Sequence, residues 1–367
     1  MKKILFFLIL CIQLSFAQEL ALVKQNGNIG YIDKTGTMVI KPAYGTARSF
    51  SDGLAAVKDQ SKWGFIDAKG KWVIPATFDD AEDFNSGLCV VQKDKQRFYI
   101  NKKGETVKSP ATDKYFSFQG GVAFFRQAKK VGLINPKGEV VLEPKYDIIK
   151  EFEGNYARVK NNDRWGIIDK TGKQIVEPLY EEIGNYFKGV TWARRGKEFG
   201  LIIGGQFKVV EGVDKIWDFE NQDNTYARKG GKVGFIDTKG NWIIEPKFDK
   251  ARAFNKDLAP VCIGSKWGYV NIQGKTVIEP VYNDAEVFSN DGLAPVKEKD
   301  WGFIDVKGKM VIPTNYSISI AFSFLSSDAK GFVKGVARVK NNGKWGFLDT
   351  KGMLLGNQWY ENAELFN

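Results

Sequence analysis

One position governs this chain: a glycine that returns at a fixed interval. It stands at Gly30, Gly64, Gly132, Gly166, Gly200, Gly234, Gly268 and Gly302, with Phe98 in the third place, each a step of thirty-four from the last, and once more at Gly346 after a step of 44. A period of this length means one supersecondary unit copied many times, as in a solenoid or a propeller. Ten copies fill the chain from residue 18 to 367, beginning near 29, 63, 97, 131, 165, 199, 233, 267, 301 and 345, with an insertion around 317–334.

Each copy reads as β-structure. "WGFID" is an aromatic and branched strand run, and "DAKG" is a type I turn with Asp first and Gly fourth. "KWVIP" returns as a second strand that stops at proline, which has no N–H to give to a ladder. Eight of the 11 prolines hold this stop: Pro42, Pro75, Pro110, Pro144, Pro178, Pro246, Pro280 and Pro313. A run such as "GLAAVK" (53–58) supplies a third strand. The unit is therefore expected to be a three-stranded hairpin meander in which Phe65 faces Trp72, Gly64 faces Val73 and Trp63 faces Ile74. A lone hairpin is marginal in water, so neighbouring units must stack. A unit of this length is short for a four-stranded blade. The expectation is an all-β, open, curved solenoid, with a closed propeller-like ring as the alternative.

Two irregular copies show that the motif is mainly a building element. The third has Arg97-Phe98 in place of Trp-Gly yet keeps its turn at Asn101 to Gly104 and its Pro110. The sixth loses the Asp turn and replaces it with Gly204-Gly205, another hairpin chemistry.

The units resemble the bacterial WG-repeat family. Trp63-Gly64, Trp165-Gly166, Trp267-Gly268, Trp301-Gly302 and Trp345-Gly346 carry the pair, and Trp301 to Tyr316 carries the surrounding W-G-F-I-D-x-x-G-x-x-V-I-x-P-x-Y elements. The resemblance implies a β-rich, commonly exported repeat protein. It brings no settled activity, no cofactor and no catalytic residue.

The segment from Met1 to Ala17 reads as a cleavable export signal: Lys2 and Lys3, an apolar stretch over Ile4 to Leu14, then Ser15 and Ala17 before Gln18. The apolar stretch is too short for a membrane span. Cleavage leaves 52 basic against 43 acidic residues, a net +9. Outside the inner membrane, the anions that such a charge could meet are glycans, lipid headgroups and acidic proteins rather than nucleic acid, and lysines on strands also discourage edge-to-edge association. Cys89 and Cys262 sit in apolar runs as expected free thiols.

The chain contains no histidine, which removes the commonest general base and zinc ligand. The recurrent Asp or Asn before each turn suits turn capping better than calcium, which needs several converging oxygens. "GYVNIQGKT" has the wrong glycine spacing for a phosphate loop. Acidic pairs such as Asp79-Asp80 and Glu181-Glu182 lie in polar linkers, with no identifiable catalytic partner for glycoside cleavage. Trp72, Trp192, Trp217 and Trp242 lie outside the Trp-Gly pair and are the candidate ligand contacts, set against the usual fate of an aromatic ring, which is burial. The sequence thus points to an exported, non-enzymatic scaffold for an envelope or extracellular protein, with a carbohydrate-binding array and an envelope polymer-degrading enzyme as the alternatives.

Overall fold

The computed structural model describes residues 19–220, 222–318 and 331–367. The stretch read as an export signal and positions 319–330 of the insertion lie outside them. Among the described residues ten antiparallel sheets, one per repeat, form a ten-bladed β-propeller ring. This corrects the open solenoid. The C-terminal strand Asn362–Phe366 pairs with Ala21–Gln25 of the first blade, so the two ends of the array share one sheet. Leu20 and Asn367 exchange backbone hydrogen bonds, and the Lys334 ammonium lies 2.6 Å from Glu19.

The three-stranded unit is corrected as well. In the fifth blade the strands are Ile148–Ile149, Tyr156–Asn161, Arg164–Asp169 and Gln174–Tyr180, in that spatial order. The first strand is a single pair of residues, Ile148 and Ile149, which is why so short a repeat suffices for four strands. It follows the outer strand of the preceding blade after one linking residue, as Ile148 follows Tyr146 and Asp147. A regular repeat therefore gives three strands to its own blade and the inner strand to the next, a strand reduced to a single bridge at Ala47, Tyr115 and Ser317 in the second, fourth and tenth blades. An open array would leave the first blade without an inner strand and the last strand without a partner.

The observed register also differs from expectation. Ile66 pairs with Trp72, Phe65 with Ile74 and Trp63 with Phe78. One residue, Gly64, thus faces three on the outer strand, a bulge. A Cβ on Gly64 would lie 2.6 Å from both the Ile74 carbonyl oxygen and the Ala76 nitrogen. The same collision recurs at Gly166, 2.5 Å from Val176 O and 2.7 Å from Pro178 N, and at Gly268, 2.4 Å from Ile278 O and 2.7 Å from Pro280 N. Glycine is required because the outer-strand backbone passes this close, as it does even without a bulge at Gly200, 2.3 Å from Lys208 O. Proline fits there because a bulged residue owes no hydrogen bond to the ladder.

Turn and core follow from the same sequence. Asp67 Oδ1 accepts hydrogen bonds from the Lys69 and Lys71 N–H groups, both 2.9 Å, and Gly70 at φ 78° closes the turn. Asx carboxylates and amides repeat this from Asp33 to Asp349. Blades adhere through ring pairs. Phe65 meets Phe84 of the next blade at 4.7 Å, Phe235 meets Phe254 at 4.6 Å, and Phe347 meets Phe366 across the closing junction at 4.9 Å. Where that ring is tyrosine, as at Tyr31, Tyr99 and Tyr269, its hydroxyl donates at 2.7–2.8 Å to a carbonyl of the next blade, Arg48, Phe116 or Glu286, just past its inner strand or bridge. Phe332, beyond the insertion, takes the corresponding place against Phe303 at 4.9 Å. Cys89 and Cys262 are buried free thiols.

Candidate ligand-binding cleft

The motif tryptophans lie on one face of the ring, at the start of their strands, each opposite an aromatic of the outer strand: Trp63 and Phe78, Trp165 and Tyr180, Trp267 and Tyr282, Trp301 and Tyr316. Trp345 exchanges backbone hydrogen bonds with Tyr360 in the same way. Trp63 and Trp267 are buried and the other three half-buried. Cations cover the rings. Arg48 and Lys58 stand 5.6 and 5.9 Å from the Trp63 centroid, Arg252 4.4 Å from Trp267, and Arg338 4.5 Å from Trp345. An exposed cation–π contact contributes about 0.5–1 kcal/mol, so these are packed sites with a polar lid.

Carboxylates of the linking residues tie the blades together on this face. Lys130 donates to Asp147 at 2.6 Å, and Asp147 also accepts the Asn162 N–H of the next blade at 2.9 Å. Glu181 joins Arg164 to the Gly196 N–H, and Asp249 joins Lys232 to the Gly264 N–H. These bonds hold the acids low: the Arg164 guanidinium, chiefly, sets Glu181 at about 2. Lys130 and Lys232 depress Asp147 and Asp249.

Five blades lack the motif tryptophan, with Ile29, Arg97, Val131, Phe199 and Val233 in its place; the seventh is set apart by a second exchange. Val233 occupies the tryptophan position, pairing with Phe248. An aromatic ring comes instead from the inner strand's end: Trp217, whose N–H bonds to Tyr226 O just as that of Arg48 bonds to Ala56 O in the second blade. The exchange opens a cleft of about 610 Å³ across blades seven to nine. Trp217 stacks on Tyr226 with centroids 4.6 Å apart and 22° between planes. Arg252 lies over Trp267 and bonds to Asp284 at 2.9 Å, while Arg228 Nε donates to Asp214 at 2.7 Å.

Of the four candidate tryptophans, only Trp217 lines this cleft. Trp192 stands next to it in the fold, its Nε1–H donating to Asp218 Oδ1 at 2.6 Å and its ring lying against Gly184. Trp72, 39% exposed, borders a separate cleft of about 380 Å³ beside Tyr44 and Lys58. Trp242 begins an outer strand and packs against the cluster containing Leu201, Val210 and Ile236. Tyr226, Arg228, Lys250 and Arg252 escaped sequence reasoning. No single position signals them, because the tryptophan missing at 233 is missing also at 29, 97, 131 and 199.

The family model described as "WG containing repeat" matches residues 29–63, 63–96, 98–130, 132–165, 165–198, 234–267, 267–300 and 301–345. The sixth copy, which lacks both the Asp turn and the proline, falls between matches. No curated protein matches the chain in sequence. Among solved structures, a crystal structure of a eukaryotic initiation factor is similar with a TM-score of 0.51 at 9% identity, over 95% of this chain and 98% of that one. At that identity the likeness concerns fold alone. Hsv2 of Kluyveromyces lactis gives a TM-score of 0.34 at 11% identity, over 62% of this chain and 86% of its own. PorZ, a surface component of the type-IX secretion system of Porphyromonas gingivalis, gives 0.28 at 10%, over 93% and 57%.

Proposed function

The chain belongs to the WG containing repeat family, and we propose that it acts as an exported, non-catalytic scaffold that binds an envelope or extracellular protein through the tryptophan face of its ring. The single observation carrying this reading is that face itself: half-buried tryptophans set among arginines and lysines, the residue types that anchor protein interfaces. A closed ring presents them rigidly, so little ordering entropy opposes association. The Lys2-Lys3 and Ile4 to Leu14 pattern supports export, and the absence of histidine supports a binding rather than a catalytic role. Among the described residues no helix is long and apolar enough to cross a membrane.

The test is capture from the source cell's envelope on immobilised protein spanning 18–367, in parallel after protease and after glycosidase treatment. Capture abolished by protease and weakened by substituting Trp165 and Trp345 with alanine is the expected result. Capture insensitive to protease would overturn it.

A further inference from the structure

We infer that the cleft at blades seven to nine is a binding site for an acidic saccharide, a sugar chain bearing carboxylates. The inference goes beyond the scaffold reading, because it assigns a ligand class to one place on the ring. Four observations carry it.

The cleft is a local departure from the repeat. Where the second blade fills this position with Trp63 between Arg48 and Lys58, the seventh has Val233, with Trp217 and Arg228 in the flanking positions. The backbone pattern is kept, and since Val131 and Ile29 hold the place of Val233 in the fourth and first blades, it is the pairing of Val233 with Trp217 that is particular to this cleft.

Aromatic rings line it: Trp217, Tyr226 and Trp267. Tyr226 covers one face of Trp217, and the Lys215 ammonium, 4.5 Å from the ring centroid, must cover the other, since both cannot share a face. Lys215 is exposed, and a contact of that kind is weak enough for a sugar ring to displace. The flat, C–H-rich face of a pyranose suits such a ring.

The charge left over is positive. Both lining carboxylates are consumed internally: Asp249 by Lys232 and the Gly264 N–H, and Asp284 by Arg252 and the Ala285 N–H. Lys250, exposed, makes no ion pair among the described residues, and Arg228 engages Asp214 through Nε alone. A carboxylate on the ligand would meet these two cations in a fork-and-point arrangement.

The size also fits. About 610 Å³ is within the range of small-molecule sites.

The experiment is calorimetric titration of the protein with tetragalacturonate, with uncharged cellotetraose and tetraglutamate as comparators. Binding of tetragalacturonate is expected to weaken about tenfold in Trp217→Ala and in the exposed double variant R228Q/K250Q, and to weaken with added salt as exposed charges are screened. Val233→Trp introduces the residue that five of the ten copies carry there and fills the cleft, so it should abolish binding while leaving the melting temperature at or above the wild-type value. Absence of binding, equal binding of cellotetraose or tetraglutamate, or binding unchanged in both Val233→Trp and R228Q/K250Q would overturn the inference. Envelope capture that persists in Val233→Trp keeps the scaffold reading separate from this one.

Discussion

The third and sixth blades depart from the repeat in complementary ways. The third keeps Pro110 but has Phe98 where the glycine belongs; its outer strand pairs only over Thr106–Val107 and then leaves the sheet. The sixth keeps Gly200 but has no proline; its outer strand, Gln206–Val209, runs in plain register from Ile203 and Gln206 to Gly200 and Val209. The regular blades, with both residues, all bulge between the tryptophan and the following aromatic positions. The tenth blade makes the same excursion without proline, Trp345 opposite Tyr360 and Leu348 opposite Leu354 across Gly346, so the bulge goes with the glycine, and proline is accommodated by it rather than required. Glycine lets the outer strand cross close above its neighbour, and proline tolerates losing a ladder bond there.

The sharpest way to test whether blades stand alone or only as a ring is to remove residues 361–367. That deletion strips Ala363 and Phe366 from the first blade, uncovers Leu20 and Val23, and exposes a strand edge. The expected cost is on the order of 5 kcal/mol or frank aggregation, read by denaturant titration and size-exclusion chromatography. A monomer with undiminished stability would show that closure is incidental.

Next in size is the glycine. Gly268→Val places branched atoms where Cβ alone lies 2.4 Å from a backbone oxygen, so a loss of about 3 kcal/mol or more is expected. Phe98→Leu in the third blade, where no bulge depends on the residue, should cost only about 1 kcal/mol. Equal losses at the two positions would separate the glycine from the bulge. Pro280→Ala should be milder again, roughly 0.5–1 kcal/mol through the unfolded chain, since the bulge geometry still admits alanine.

These contrasts also mark what could be read in the sequence. The hairpins, the Asx turns and the constant repeat interval are legible because each rests on residues next to one another in the chain. The bulge is hidden in plain view: the Gly-to-Pro spacing signals it, but a regular register is the simpler assumption, and it misplaces Trp72 by one residue and Phe78 by a whole bulge. The inner strand escapes because it pairs through a single dipeptide, such as Asp80 and Ala81, too short for any alternation to show. Without that strand, the repeat looks too short for a blade and closure has no visible agent. The cleft needs two facts at once. Val233 shares its aliphatic character with Ile29 and Val131 and marks nothing alone, and only the fold reveals that Trp217, sixteen positions earlier, stands beside it.

The smallest effect separates two junctions that look alike. At the link into the sixth blade, Glu181 joins Arg164 to the Gly196 N–H. At the link into the ninth, Asn283 accepts from Lys266 at 2.7 Å and donates through its amide to Glu298 O at 2.6 Å. Only the first can be protonated. Glu181 is held low, at about 2, by Arg164, below its value in an unfolded chain, so the acid's contribution is complete above the ordinary carboxylate range and fades as pH falls toward 2. Asp147 and Asp249 shift in the same direction through Lys130 and Lys232. Hydrogen exchange should therefore show the Gly196 amide losing protection between about pH 4.5 and pH 2, after correction for the intrinsic rate, while the turn around Glu298 keeps its own. Glu181→Gln should remove that pH dependence and leave the junction resembling the one at Asn283. Parallel loss at both turns would mean that acid loosens the ring as a whole and that the carboxylate latch is not what distinguishes them.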